Sequence, residues 1–279
     1  VFTTATLPVS IMAPYITFWD LGIRGYVNIR NRTELPANLG ITVEFVSKSA
    51  EMTNRLAQLT KQMLTNKSWR ARRILILVPT IESTVRLQQE LHSRREMLEL
   101  QESDGIAVVT SESSTESIMH AITEAKIIVC TTAISCSMNI PSLDVVIVFK
   151  TTYSLADLVQ AWGRAGREGQ AARGYLLWCP SSHRSMFPSD RPRIDLDAVA
   201  WARQSTIDDQ ARLALCPSGV MRFATDKSRC RRVQLLHAFD GEDCESPPAC
   251  EKIGSEPWCD VCVFNLDRKS TRLNSSHRT

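Results

Sequence analysis

The chain has 279 residues, of which 43% are hydrophobic and 23% are charged, and its formal net charge is +3. These values predict one large or two ordinary folded domains and argue against wholesale disorder. The apolar runs are much shorter than the roughly 20 residues of a membrane span, so we expect no membrane as a partner. The mild positive charge permits nucleic acid as a partner without requiring it.

Both ends of the sequence look incomplete or foreign. The chain begins with Val1, and no charged and then apolar leader follows, so we expect no secretory signal and a true start that lies elsewhere. Residues Arg268–Thr279 are almost entirely polar and resemble translated adaptor or vector sequence. We therefore predict a non-native or disordered tail over 267–279 and exclude it from the interpretation.

Short apolar runs rich in β-branched residues occur between Gly40 and about Pro180. Each run has the length of a strand and is apolar throughout, as in strands that are buried on both faces of a parallel sheet. The runs are Ile41–Val46, Ile74–Val78, Ile106–Val109, Ile127–Cys130, Val145–Phe149 and Tyr175–Trp178.

The segments between these runs have apolar residues at helical spacing, and the alternation of strands and helices predicts an α/β domain. Ligands of such sheets bind beyond the carboxyl ends of the strands, which directs attention to the loops after Cys130 and Phe149 and before Gly163. The apolar faces consist of Met52, Leu56, Leu59 and Met63, then Ile118, Ala121 and Ile122, then Leu155, Leu158, Val159 and Trp162.

The composition changes after Pro180. Prolines, serines and mixed charges predict a linker there, and Leu196–Leu215 predicts a helix. Of the nine cysteines, five fall in the last fifth of the chain, and the other four have apolar surroundings typical of small core residues. The four are Cys130, Cys136, Cys179 and Cys216.

The stretch Gln160-Ala-Trp-Gly-Arg-Ala-Gly-Arg-Glu-Gly169 sets two arginines, Arg164 and Arg167, among small residues after a helix. Small residues let a ligand approach the backbone, and guanidinium groups match phosphate oxygens. A glycine-rich turn with solvated arginines is the alternative, and spacing alone favours that alternative.

The stretch is, however, similar to motif VI of superfamily 2 helicases, in the form found in RecQ-type enzymes. Thr4–Thr6 resembles motif III, Ile74–Leu91 resembles motif IV, and Lys126–Ile147 resembles motif V. The resemblance implies a RecA-like parallel sheet with flanking helices, the second helicase domain, followed by a small helical zinc-binding subdomain.

The resemblance also assigns roles to residues. Gln160, Arg164 and Arg167 would reach ATP and Mg2+ held between two RecA-like domains, with Arg167 as the arginine finger and Arg164 beside it in catalysis. Motif V touches nucleotide and DNA in the family. Cofactor-binding residues are then Gln160, Gly163 and Asn139, and nucleic-acid contacts include Thr131 and Ser135.

The sequence departs from the family in two respects. Ser135 and Ser137 replace glycines and Asn139 replaces an aspartate, which puts full activity in doubt. The 279 residues also contain neither a G-x-x-x-x-G-K-[ST] phosphate loop nor an Asp-Glu-x-His motif. We therefore expect this chain alone neither to hold Mg-ATP firmly nor to unwind a duplex, because the N-terminal RecA-like domain is missing.

The clustered cysteines predict a structural zinc site, because a C-x₂-C turn at Cys259 and Cys262 can complete a tetrahedron with two further thiolates. Disulfides or free thiols are the alternative. Cys230-Arg-Arg resembles the start of the RecQ zinc-binding subdomain, and Cys250 is the predicted remaining ligand, as in fungal telomere-linked RecQ-like helicases. This ligand is ambiguous because the compact family form would place a cysteine at Glu256, and Cys244 is the alternative to Cys250.

The functions of two arginines and one histidine near these cysteines were also considered. Arg231 and Arg232 could contact DNA phosphate or could pair with nearby acidic residues, and the choice stays open. His237 is interpreted as structural, because four cysteines already suffice as ligands. The acidic candidates are Asp240, Glu242 and Asp243.

The resemblance divides the chain into a remnant of the first RecA-like domain (1–30), the second domain (31–182) and a helical and zinc-binding subdomain (183–266). It implies an ATP-dependent 3′-to-5′ helicase that acts on single-stranded or forked DNA in the nucleus. One alternative is a motor-dead, zinc-containing nucleic-acid-binding module. A cysteine-dependent hydrolase ranks last, because no thiol and base stand at a readable spacing.

Overall fold

The structure is a computed structural model that describes residues 35–66, 69–131, 139–188, 213–241, 250 and 259–264. The chain divides into two compact units. We call residues 36–152 and 157–188 the sheet unit. We call the remainder the cysteine unit. Its described residues are Leu35, Tyr153–Ala156 and those from 213 onward. Among the described helices, none is long and apolar enough to cross a membrane.

The sheet unit is built on one sheet of six parallel strands in the order β1-β6-β5-β2-β4-β3. The central strands are apolar and almost fully buried, which confirms the predicted parallel sheet with buried strands. All six predicted runs are strands. Their bounds are β1 Leu39–Phe45, β2 Arg73–Val78, β3 Gly105–Val109, β4 Ala125–Thr131, β5 Leu143–Lys150 and β6 Ala172–Trp178.

Helices flank the sheet where the apolar spacing predicted them. The buried face of the first helix contains the four predicted residues, from Met52 to Met63. Threonine and serine cap the next two helices, since Thr80 accepts from Ser83 N–H and Ser114 accepts from Ser117 N–H. A 3₁₀ turn covers Ser49–Glu51, and the helices are α1 Met52–Thr65, α2 Ile81–His92, α3 Thr115–Glu124, α4 Leu155–Trp162, α5 Pro180–Met186, α6 Pro217–Thr225 and α7 Arg231–Asp240.

The predicted linker after Pro180 is wrong at its start. Residues Pro180–Met186 form α5, and Ser182 and His183 are buried. Proline is compatible with the first turn of a helix, where its missing N–H would have no partner. The His183 Nδ1 atom lies 2.7 Å from the Thr151 hydroxyl, which ties α5 to the chain after β5. The predicted helix Leu196–Leu215 lies mainly outside the described residues.

The path of α4 decides where the arginine-rich stretch lies. Strands β5 and β6 are parallel neighbours, so the chain leaves the carboxyl end of β5 and must return to the opposite edge before β6 begins. Gly166, beyond the end of α4, donates to the carbonyl of Leu143, the first residue of β5. Arg164 and Arg167 therefore lie at the amino edge of the sheet, whereas Thr131, the last residue of β4, lies at the carboxyl edge. The expectation of ligand groups at carboxyl ends thus fits Thr131 and not the arginine-rich stretch.

The close packing of Trp162 on Gly174 holds the end of α4 against the sheet. Trp162 is fully buried, and its indole N–H donates to the carbonyl of Tyr175 at 3.3 Å. A Cβ atom at Gly174 would lie 2.7 Å from the indole ring. Glycine is therefore required at this position of β6 by the approach of the ring.

We expect Gly174→Ala to lower the free energy of unfolding by about 1–3 kcal/mol, because the methyl group overpacks the indole contact. Chemical denaturation measures this loss. Trp162→Phe provides the control, since a smaller ring makes room for the methyl group. The double variant should lose less stability than the sum of the two single losses, and strict additivity would contradict the proposed contact.

Candidate functional site

Residues 163–170 form a compact bend, here called the arginine turn. Gly163 N–H continues the hydrogen bonding of α4 by donating to Val159 at 2.9 Å, and Gly169 N–H closes the turn on the carbonyl of Gly166 at 3.0 Å. Gly166 and Gly169 have φ values of +72° and +84°, a region that favours glycine. The backbone conformation of the turn therefore accounts for glycine at these two positions without any ligand.

Arg167 is the exposed cation of the arginine turn. Its Nε atom donates to the carbonyl of Gly163 at 3.2 Å, and its Nη1 atom donates to Oδ1 of Asn139 at 3.4 Å. The structure thus brings together Arg167, Asn139 and Gly163, all of which were predicted nucleotide-site residues. Both contacts are long and solvent-exposed, so the guanidinium group can exchange them for phosphate oxygens at little cost.

The other predicted nucleotide residues lie on the same stretch. Gln160 is exposed on the last turn of α4, and Arg164 is half-buried. Of the predicted nucleic-acid contacts, Thr131 is buried at the end of β4, and Ser135 lies outside the described residues. The assigned roles of these side chains remain predictions.

Glu168 anchors the arginine turn through contacts that the sequence analysis missed. Its Oε1 atom accepts from Ser142 N–H at 2.9 Å, and its Oε2 atom lies 3.8 Å from Arg72 Nη1. The Arg72 guanidinium also forms an ion pair of 2.9 Å with Asp144, and the hydrogen bond to Asp144 is the main reason that the pKa of Arg72 is raised. These partners are far apart in sequence, so no local pattern could have revealed them.

The four cysteines predicted as metal ligands lie together in the cysteine unit. Their sulfur atoms all lie within 4.8 Å of one another, and all four side chains are buried. Cys230 Sγ is 3.4 Å from Cys250 Sγ and 3.8 Å from Cys259 Sγ. A zinc ion with Zn–S bonds of about 2.3 Å spaces its ligands at roughly 3.8 Å, so the cluster fits a tetrahedral ion. The remaining member is Cys262, whose N–H donates to Cys259 Sγ at 3.4 Å.

The four thiols also influence one another's ionisation. The pKa of Cys230 is lowered well below its usual range, because the Cys250 and Cys259 thiols donate to its sulfur. The pKa values of Cys250 and Cys259 are raised, chiefly through the same contacts with Cys230, and burial raises the pKa of Cys262. Several thiolates cannot coexist in this buried space unless a divalent cation compensates their charge.

Arg231 braces the cluster from inside. Its side chain is fully buried, pairs with both carboxylate oxygens of Asp260 at 3.0 and 2.9 Å, and donates to the carbonyls of Phe223 and Asp226. These contacts favour the acidic-partner alternative for Arg231, and that partner is Asp260, which the sequence analysis did not consider. Arg232 is also buried, and its Nη1 atom donates to the Leu35 carbonyl at 2.8 Å, so its placement likewise does not support a phosphate contact.

Three of the four cysteines interpreted as core residues are buried, namely Cys130, Cys179 and Cys216. The fourth, Cys136, lies outside the described residues. His237 lies on α7 and is half-buried, with its Nδ1 atom 3.4 Å from Arg229 Nη1. Four sulfur ligands are available without this histidine, which agrees with its structural interpretation.

We expect Cys250→Ser to lower bound zinc from about one ion per chain to almost none, because three thiolates are a poor tetrahedral set. Metal analysis of the purified protein after dialysis measures the stoichiometry. Cys244→Ser is the matched control, since Cys244 was the competing ligand in the sequence analysis. Zinc retained by Cys250→Ser and lost from Cys244→Ser would reverse the assignment.

We expect Asp260→Asn to destabilise the cysteine unit by about 3 kcal/mol, since removal of one partner leaves the Arg231 charge buried without compensation. This value is at the low end for buried pairs, because the Asp260 side chain is 22% exposed. Zinc release to a competing chelator should also accelerate. Asp240→Asn, at the last residue of α7, is the control, and equal effects of both changes would argue against the bracing role.

Comparison with known proteins agrees with this geometry. Residues 54–169 match the family described as the helicase conserved C-terminal domain, a span that ends at the last glycine of the arginine turn. Over 161 residues the chain is 29% identical to ATP-dependent DNA helicase Q1 of Caenorhabditis elegans, and the match covers 55% of this chain and 22% of the relative. The chain therefore spans about a fifth of the length of that curated relative.

Similar solved chains include the E. coli DEAD-box protein SrmB bound to regulator of ribonuclease activity A, with 17% identity, a TM-score of 0.42 and coverage of 52% of this chain and 79% of that one. Another is S. cerevisiae Dbp5 bound to RNA and ADP BeF3, with 14% identity, a TM-score of 0.48 and coverage of 62% and 44%. The family match over residues 54–169 and the curated relative support the resemblance to the C-terminal portion of a RecQ-type superfamily 2 helicase that the motifs indicated.

Proposed function

We propose that the chain supplies the second motor domain of an ATP-dependent DNA helicase that moves in the 3′-to-5′ direction. The observation that carries the proposal is the exposed Arg167, held at the edge of a RecA-like sheet by the arginine turn within the matched family span. The name of the curated relative, an ATP-dependent DNA helicase, supports the reaction and the type of nucleic acid.

In this proposal the nucleotide lies between the sheet unit and another RecA-like domain, which would contribute most of the contacts to ATP and Mg2+. Arg167 leaves Asn139 and Gly163 and donates to the transferring phosphoryl group, where it stabilises the charge that develops in the transition state. Arg164 and Gln160 would contribute further polar contacts from the same stretch.

In this proposal the two edges of the sheet bind different ligands. The proposed nucleotide contacts lie at the amino ends of β5 and β6, whereas Thr131, a proposed DNA contact, lies at the carboxyl end of β4. Single-stranded or forked DNA would then run along the carboxyl edge, separated from the nucleotide by the length of the strands. The proposed action in the nucleus rests on the family resemblance alone.

We propose a structural role for zinc in the cysteine unit. The ion would be held by Cys230, Cys250, Cys259 and Cys262, and it would supply the cross-link that joins the start of α7 to the C-x₂-C turn. Four thiolates leave no open coordination position, so the ion would take no part in the reaction.

One observation favours a second candidate, a zinc-containing nucleic-acid-binding module without motor activity. Asn139 offers Arg167 a neutral amide oxygen where the resemblance implies a carboxylate. The loss of that charge weakens the electrostatic hold on the Arg167 guanidinium group. The two candidates differ in whether ATP hydrolysis occurs when both RecA-like domains are present.

We expect DNA-stimulated ATP hydrolysis when this chain is combined with a first RecA-like domain of a RecQ-type helicase. Arg167→Ala should lower kcat by about a thousandfold or more, the usual contribution of an arginine finger. Arg86→Ala, an exposed arginine on α2, is the matched control and should leave kcat unchanged. DNA binding without hydrolysis by the combined protein would favour the second candidate.

A further inference from the structure

The side chain of Asn38, just before β1, makes two hydrogen bonds to the arginine turn. We propose that Asn38 is a positioning residue: it fixes the backbone of the arginine turn and thereby directs Arg167 toward its phosphate. The role of Arg167 toward a phosphate rests on the proposed function. The positioning of the arginine turn by Asn38 can be tested without any nucleotide. Neither the motif pattern nor its spacing pointed to this residue.

The side-chain amide of Asn38 spans the arginine turn. Its Nδ2 atom donates to the carbonyl of Gly166 at 2.8 Å and to the carbonyl of Gln170 at 2.6 Å. The two carbonyls flank Arg167 in the chain, and an amide group has two N–H donors at a fixed angle. Asn38 therefore joins the backbone on either side of Arg167 through a single planar group.

The main chain of Asn38 is fixed by the sheet itself. Its carbonyl accepts from Ala172 N–H at 2.9 Å, and the following residue, Leu39, is paired with Ala172 in the β1–β6 ladder. Leu39 N–H donates to the Pro36 carbonyl at 3.0 Å, which closes a tight turn around Asn38. The amide that holds the arginine turn is thus mounted on a rigid part of the fold.

Gly166 shows how closely the parts fit. Its N–H donates to Leu143 at 2.9 Å while its carbonyl accepts from Asn38, so both of its backbone polar groups are held. A Cβ atom at Gly166 would lie 2.6 Å from Asn38 Nδ2, so only glycine lets the amide come this close. The backbone immediately before Arg167 is therefore fixed, whereas the guanidinium contacts at 3.2 and 3.4 Å are loose.

This combination of a fixed backbone and a releasable side chain suits an arginine that must reach an external phosphate. A misplaced catalytic group costs rate even when substrate binding is intact, because the geometry of the reacting atoms is lost. Replacement of Asn38 by Asp keeps the shape but sets a carboxylate against two carbonyl oxygens, and replacement by Ala removes both donors. Both changes should free the arginine turn without changing Arg167.

The direct test is hydrogen–deuterium exchange of this chain, read by mass spectrometry on peptides that cover residues 163–171. We expect Asn38→Ala and Asn38→Asp to raise exchange in these peptides about tenfold, as local opening becomes easier when the hydrogen bonds are lost. Asn54→Ala is the matched control, because Asn54 Oδ1 only accepts from Arg94 on the surface. Peptides from β2 should exchange as in the unchanged protein.

Unchanged exchange in the arginine turn of both variants would overturn the proposal, and so would an equal rise in β2, which would indicate general destabilisation. Where ATP hydrolysis is obtained with a first RecA-like domain, Asn38→Ala should lower kcat roughly tenfold to a hundredfold with KM for ATP within about threefold. A normal kcat with a loosened turn would contradict positioning. Absence of hydrolysis in the unchanged protein would instead remove the proposed function, and the exchange result would still decide on Asn38.

Discussion

The hydrogen bond from Gly166 N–H to the Leu143 carbonyl fixes the arginine turn to the amino edge of the sheet. Because β5 and β6 are parallel neighbours, α4 must carry the chain back to this edge before the next strand begins. The motif at the end of α4 is therefore presented where β6 starts, and Thr131 lies at the opposite, carboxyl edge. The separation of the proposed nucleotide and DNA contacts follows from the connectivity of the sheet.

Polar contacts organise the cysteine unit in a different way from the apolar sheet. Arg231 is fully buried, and the cost of removing its charge from water is offset by Asp260 and two backbone carbonyls. Asp260 lies between two of the clustered cysteines, so the ion pair and the sulfur ligands connect the same two segments. Such links fix the two segments relative to each other, which is the usual contribution of a structural metal.

The sheet and its helices could be predicted because apolar periodicity is a local property. The runs around Ile76 and Ile147 are strands, and the spacing from Met52 to Met63 marks the buried face of α1. Pro180 misled the prediction, since proline signals both a linker and the first turn of a helix. Cys250 was chosen by family spacing, and the structure brings it to the other three cysteines.

The parts that escaped prediction are contacts between distant residues. Asn38 and Gly166 are 128 positions apart, and an asparagine before a strand carries no sign of what its amide will meet. The partner of Arg231 was also missed, because acidic residues nearer in sequence were the obvious candidates. Whether an arginine pairs inside the protein or faces solvent depends on its burial. The burial of a single arginine depends in turn on packing that apolar periodicity does not encode.

The central claim is that Arg167 meets a phosphoryl group presented by another RecA-like domain. The most direct measurement is a crystal structure of this chain joined to such a domain, with DNA and a transition-state analogue of ATP bound. The account predicts that the Arg167 guanidinium leaves Asn139 and donates to the analogue at about 3 Å. An Arg167 side chain that still contacts Asn139 and Gly163, with the analogue fully bound, would contradict it.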